Sequence, residues 1–142
     1  MRALPVLFAL AIALAVQVAP ARAQGLADSD RAAIAAVIES QLEAFRSDDG
    51  AKAFSYASPG IRSMFQTPEF FMDMVRNGYA PVYRPQSHAF RDLDLSGSLP
   101  VQDVYLVGPD GTPVIARYTM ERQPDGSWRI AGCQLIDAGL SV

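Results

Sequence analysis

Between Ala27 and Ser47, apolar side chains fall at Ile34, Val37, Ile38, Leu42 and Phe45. This i, i+3, i+4, i+8, i+11 stripe predicts an amphipathic helix with one face turned to a core. The DSD run at 28–30 offers an N-cap and places negative charge at the positive end of the helix dipole. Gly50 predicts a left-handed stop, and Asp49 a cap for a short second helix over Ala51–Ala57. SPG at 58–60 breaks that helix, and Ile61–Phe65 predicts one further turn. TPEFFMDMVRNG, residues 67–78, carries Thr67 as cap, Pro68 at the first helical position and Asn77-Gly78 as stop. Its predicted buried side is Phe70, Phe71, Met74 and Val75. YAPVYRP, residues 79–85, holds two prolines and predicts an extended connector.

From Ser87 onward the period changes from helical to alternating, with predicted strands at His88–Leu95, Val101–Val107, Pro113–Arg122 and Ser127–Ile136. Helices first and strands afterwards predict an α+β class: N-terminal helices on one face of a curved antiparallel sheet of about four strands. Pro-Asp-Gly occurs at 109–111 and again at 124–126, each time between strands. Both fit a type I turn closed by a left-handed glycine, a bending device rather than a chemical motif. Three-residue loops would put Gly108 opposite Thr112 and Gln123 opposite Ser127. The same register sets Asp103 beside Arg117, Val104 beside Ala116, Glu121 beside Arg129 and Met120 beside Ile130, so charges meet opposite charges and apolar residues meet apolar ones. The predicted inner face is Val104, Leu106, Val114, Ala116, Tyr118, Met120, Trp128 and Ile130. The predicted outer face is Asp103, Tyr105, Val107, Ile115, Arg117, Thr119, Glu121, Arg129, Ala131 and Cys133, with a bulge expected at Gly132.

The first residues change the picture of compartment. Arg2, the apolar run Leu4–Val16 and the small-x-small ARA at 21–23 predict a secretory signal peptide over 1–23, leaving 24–142 as a single α+β domain. The apolar run is shorter than the roughly 20 residues a bilayer span needs, so no stable membrane anchor is expected. The expected location is periplasmic or secreted. Without Arg2 and Arg22 the basic residues fall to 12 − 2 = 10 against 15 acidic, a net charge of −5. An acidic surface without a Lys/Arg cluster argues against nucleic acid as a partner. The single cysteine, Cys133, precludes a disulfide within the chain.

Candidate chemistry is sparse. One histidine and one cysteine far apart give no metal-ligand spacing, and neither a nucleophile elbow nor a phosphate-binding glycine loop is visible, so no metal and no cofactor is expected. No catalytic set assembles, and the acid–base candidates reduce to His88, at a strand start, and Asp103, which the register pairs with Arg117. The groups expected to meet a ligand are Tyr79 and Tyr83, on the proline-stiffened connector, and Tyr118 and Gln102, the polar residues aimed at the helices. A buried Tyr118 needs a partner for its hydroxyl. The outer face carries Tyr105, Val107, Ile115 and Ala131, enough apolar surface for a homodimer through that face.

A helical N-terminal half followed by a curved sheet ending in DGSWRIAGC resembles the cone-shaped nuclear transport factor 2-like superfamily. SDRAAIAAVIESQLEAFRSDDG, ASPGIR, GYAPVYRP and YTMERQPDGSWRIAGC more closely resemble the exported family called Domain of Unknown Function 4864. Enzymes of the cone fold work with an aspartate base and tyrosine or aspartate donors in an apolar cavity; Asp103 is the strand aspartate the resemblance points to, and an enzyme here would take His88 or Asp103 as base and a tyrosine as donor. The resemblance to the exported family brings no activity with it. The expected function is therefore a non-catalytic module for a small apolar ligand or a protein partner, with a small isomerase- or hydrolase-type cone-fold enzyme as the alternative.

Overall fold

The computed structural model describes residues 26–139; the expected signal peptide lies outside the described residues. Five helices, α1 (Asp28–Arg46), α2 (Gly50–Ser55), α3 (Pro59–Phe65), α4 (Pro68–Gly78) and α5 (Ala80–Tyr83), precede four strands, β1 (Ser87–Asp94), β2 (Val101–Val107), β3 (Pro113–Arg122) and β4 (Trp128–Asp137). The strands form an antiparallel sheet in the order β1-β2-β3-β4, not closed on itself. This is the α+β layout expected from the chain.

The α1 stripe is buried at Ile34, Ile38, Leu42 and Phe45, packed on the inner sheet face made by Val104, Leu106, Ala116, Tyr118, Met120, Trp128 and Ile130. Fully burying one such aliphatic or aromatic side chain is worth about 1.5–3 kcal/mol, so this layer dominates the stability of the fold. Trp128 closes its far end. Its indole N–H donates to Asp30 at 3.2 Å, Arg122 pairs with the same carboxylate, and the Arg122 guanidinium lies 5.0 Å from the Trp128 ring centre. Asp30 is thus a tertiary clamp between helix and hairpin and not the expected N-cap; Ala27 occupies the cap position and no side chain bonds there. The Trp128 hydrogen bond, then Arg122, holds the Asp30 carboxyl below its ordinary range.

Both Pro-Asp-Gly turns close as expected. Gly108 N–H donates to Thr112 O at 2.9 Å and Gln123 N–H to Ser127 O at 2.7 Å, with Gly111 and Gly126 left-handed at φ 84° and 85°. Asp103 pairs with Arg117, Val104 with Ala116, Met120 with Ile130 and Glu121 with Arg129.

Four local expectations need correction. Residues 80–83 form a short helix rather than an extended connector, because Pro81 sits in its first turn, where a missing N–H costs nothing. The left-handed stop after α1 is Asp48 at φ 52°, whose carboxylate holds Arg84 at 3.0 Å; Gly50 instead starts α2, and a Cβ there would come within 2.9 Å of Met72 Cγ. On α4 the buried residues are Phe71, Met72 and Val75, whereas Phe70 is exposed. Finally, β4 gains one residue against β3: Met120 pairs with Ile130 but Thr119 with Gly132, which leaves Ala131 as the bulged residue. Side-chain parity reverses beyond it, so Cys133 faces inward beside Tyr118 and packs against the core.

The outer face is partly roofed by its own side chains, with the Arg91 guanidinium 5.0 Å from the Tyr105 ring centre and Arg117 donating to Asp103 at 3.1 Å.

Two glycine substitutions separate backbone strain from backbone freedom. Gly126→Ala is expected to cost about 1–2 kcal/mol, because an L residue is strained at its left-handed φ. Gly78→Ala, on the last turn of α4 with open space around it, should gain about 0.4–1 kcal/mol. Urea unfolding of the two variants measures both; equal effects would contradict the turn assignment.

Candidate functional site

The helices do not fill the space they cover. α1 and α4 each bury an apolar face, but α3 buries none of its side chains fully, and between it, α4 and the β3–β4 end of the sheet a cavity of about 310 Å³ opens to solvent. Phe71 and Val75 of α4 form one wall and Ile61 and Phe65 of α3 another, while Tyr118, Ile130 and Cys133 lie on the sheet side. Met64, 71% exposed, marks the mouth. No Asp, Glu, Lys, Arg or His lines the cavity.

Local sequence explains each wall. Ser58 caps α3 by accepting from Ile61 N–H at 3.3 Å, and Thr67 caps α4 by accepting from Phe70 N–H at 3.3 Å. Between them Gln66 turns the chain at φ 68°, swinging α3 away from α4. Tyr56 and Ser58 bond to both backbone groups of Ile130, fixing the loop before α3 to the edge of β4.

On the sheet side Tyr118 is buried, and its hydroxyl has no hydrogen-bond partner among the described residues. Its cross-strand neighbours are Gln102 on β2 and Cys133 on β4. Gln102 turns away, its amide donating to the carbonyls of Arg91 at 2.8 Å and Asp103 at 2.9 Å, where a bulge in β1 leaves acceptors unpaired. The Cys133 thiol influences the phenol without forming a hydrogen bond of ordinary geometry. Desolvation raises the Tyr118 hydroxyl well above its usual range and, foremost, pushes the Cys133 thiol from 9.0 up to about 12. Both stay protonated at neutral pH.

Of the four expected ligand contacts, two share this cavity. Tyr118 lines it with its hydroxyl buried out of solvent, and Tyr79 lines the wall with its hydroxyl donating to the Cys133 carbonyl at 3.0 Å. Gln102 is committed to the β1 bulge. Tyr83 lies outside the cavity, its hydroxyl on Asp48 and its ring 4.0 Å from the Arg84 guanidinium. The acid–base candidates do not meet. His88 faces α1, with Nε2 2.7 Å from Glu39 Oε2 and Nδ1 3.4 Å from Arg46, whereas Asp103 pairs with Arg117 on the opposite face of the sheet. Two participants escaped the sequence reading. Carrying the Gly132 bulge through the strand's alternation would have moved Cys133 to the inner face, whereas nothing in the pattern marks Gln41, which lines the cavity with its amide donating to Ala53 O at 3.1 Å.

Among the described residues, no group of three or more His, Cys, Asp or Glu could hold a metal ion, and no helix is long and apolar enough to cross a membrane. Fold and cavity together define an α+β protein with an uncharged apolar pocket between its helices and its sheet. The chain belongs to the family described as Domain of unknown function (DUF4864), which it matches over residues 27–140. No curated protein and no solved structure matches it.

Tyr118→Phe removes a buried hydroxyl that nothing satisfies, and such a group costs about 1–3 kcal/mol. The variant should therefore unfold at equal or higher urea concentration than the parent, while a loss above about 1 kcal/mol would mean that the hydroxyl is bonded. The buried thiol sets an alkaline limit. The folded chain holds the Cys133 proton more tightly than the unfolded chain, so this stabilisation is complete below about pH 9 and is lost as pH rises toward 12. Urea midpoints should fall through that window, and less steeply in Cys133→Ala; identical slopes would place the thiol in water.

Proposed function

We propose that this protein is an exported, non-catalytic binding module that takes a small apolar molecule into the cavity between α3, α4 and the β3–β4 end of the sheet. One observation carries the reading: a cavity lined almost wholly by apolar side chains, with no charged residue, opens to solvent between the helices and the sheet. A cavity of about 310 Å³ lies at the lower end of the volumes small-molecule sites use.

Catalysis by proton transfer would need an acid–base pair on the cavity. None of its lining groups titrates near neutral pH, since Cys133 is pushed up to about 12 and Tyr79 and Tyr118 are raised. His88 and Asp103, on opposite faces of the sheet, cannot act on one substrate atom. The leader-like residues 1–23 support export to the periplasm or outside the cell.

Naphthalene, an uncharged probe of fitting size, tests the reading by ligand-detected saturation transfer. Wild type should show transfer that Ile61→Trp, which fills the cavity from α3, abolishes while its thermal midpoint stays within a few degrees. Absence of transfer to the wild type, or equal transfer to the filled variant, would remove the proposal.

A further inference from the structure

We infer that this chain forms a homodimer through the outer face of its sheet, about a two-fold axis that runs along the strands between β2 and β3 and sets Tyr105 of one copy against Ile115 of the other. The cavity lies on the opposite side of the sheet, so the inference is independent of the binding reading above.

The β4 bulge completes this face. Because parity reverses at Ala131, Cys133 and Leu135 turn to the core and Ile136 turns outward, where it pairs with Ile115 and stays 36% exposed. Cross-strand pairing then aligns Ala89, Tyr105, Ile115 and Ile136 as one row over all four strands, with Val107 and Pro113 in the row beside it. An apolar row across the full width of a sheet, on the side away from the helices, marks an association surface.

Charge selects a second copy as the occupant. Residues 24–142 carry a net −5, yet this face is nearly balanced. Arg91, Arg117 and Arg129 stand against Asp94, Asp103 and Glu121, and adding Asp92 of the β1 bulge gives 3 − 4 = −1. Next to the apolar row lies a charged one, made by Arg91, Asp103, Arg117 and Gln134. An axis along the strands lays each row on its own copy in reverse order, so Tyr105 meets Ile115 and Asp103 meets Arg117 of the second copy. The Arg117–Asp103 pair, 3.1 Å apart within one chain, becomes half of an alternating quartet. An axis across the strands, through the apolar row, would instead lay Asp103 and Arg117 on Val107 and Pro113 and desolvate both charges against carbon. At about 4.8 Å between strands and about 3.3 Å per residue, two facing copies cover on the order of 1,000 Å², the size of a weak, reversible interface.

Sedimentation velocity of the purified chain should show a monomer–dimer equilibrium with a dissociation constant on the order of 10 µM. Ile115→Glu buries a carboxylate at the centre of the contact and should raise that constant about a hundred-fold, with its thermal midpoint and its naphthalene binding unchanged. Phe70→Glu, at a side chain 64% exposed on α4, should leave the equilibrium as it is. Exchange of charge reads the register. The double variant Asp103→Arg, Arg117→Asp keeps both pairings between identical copies and should dimerise like the parent, whereas a mixed dimer of variant and parent brings like charges together. Native mass spectrometry of an equal mixture should therefore find mixed dimers about ten-fold below their statistical share. A monomer throughout, dimerisation of Ile115→Glu at the parent's strength, loss of the dimer in Phe70→Glu, or mixed dimers at their statistical share would each overturn the inference and leave the binding module standing.

Discussion

Side chains alternate along a strand, and one extra residue reverses the alternation for everything beyond it. In this protein that residue is Ala131. Up to Ile130, β4 follows the hairpin register, placing Trp128 and Ile130 in the core; past the bulge, Cys133 and Leu135 take the inward positions opposite Tyr118 and Ala116. An uninterrupted strand would have set Gly132 against Tyr118 and Gln134 against Ala116. The bulge puts a thiol there instead, a poor partner for a phenol, and the hydroxyl is left unspent.

The rest of the architecture explains how this defect is tolerated. One end of the sheet is sealed by α1 and the Asp30–Trp128–Arg122 clamp, and its middle by Val104, Leu106, Ala116 and Met120, all fully buried. Further along the same two strands the cover is α3, whose seven residues are held by a cap at Ser58 and by half-buried Ile61 and Phe65. The cavity shares Phe45, Phe71, Tyr118 and Ile130 with the packed core, and its α3 wall is the one with the least buried surface. Tyr83, Arg84 and Asp48 tie α5 to the turn after α1, which keeps the wall bearing Tyr79 and Val82 in place.

Much of this was legible from residues alone, because local rules governed it. The helix stripe, the Thr67-Pro68 start and the paired Pro-Asp-Gly turns specify elements and register without tertiary information, and the inner face followed from the register as far as Ile130. The failures share a cause in long-range contact. Asp30 left the helix end for Trp128, a partner 98 positions along the chain. Gln102 was recognised as an inward polar residue, but its commitment to the β1 bulge depends on a neighbouring strand's irregularity that no pattern announces. Tyr118 was identified with the need for a partner; that the fold withholds one depends on the space left by α3, which periodicity does not encode.

The account stands on the geometry around one oxygen, and a crystal structure of the ligand-free protein at a resolution that orders water tests it most directly. It should show Tyr118 Oη with no protein atom in hydrogen-bond range, Cys133 on the same side of the sheet, and open space between α3, α4 and the sheet reaching the mouth at Met64. A structure in which α3 has settled onto β4 and closed that space, or in which a protein side chain bonds the hydroxyl, would contradict it.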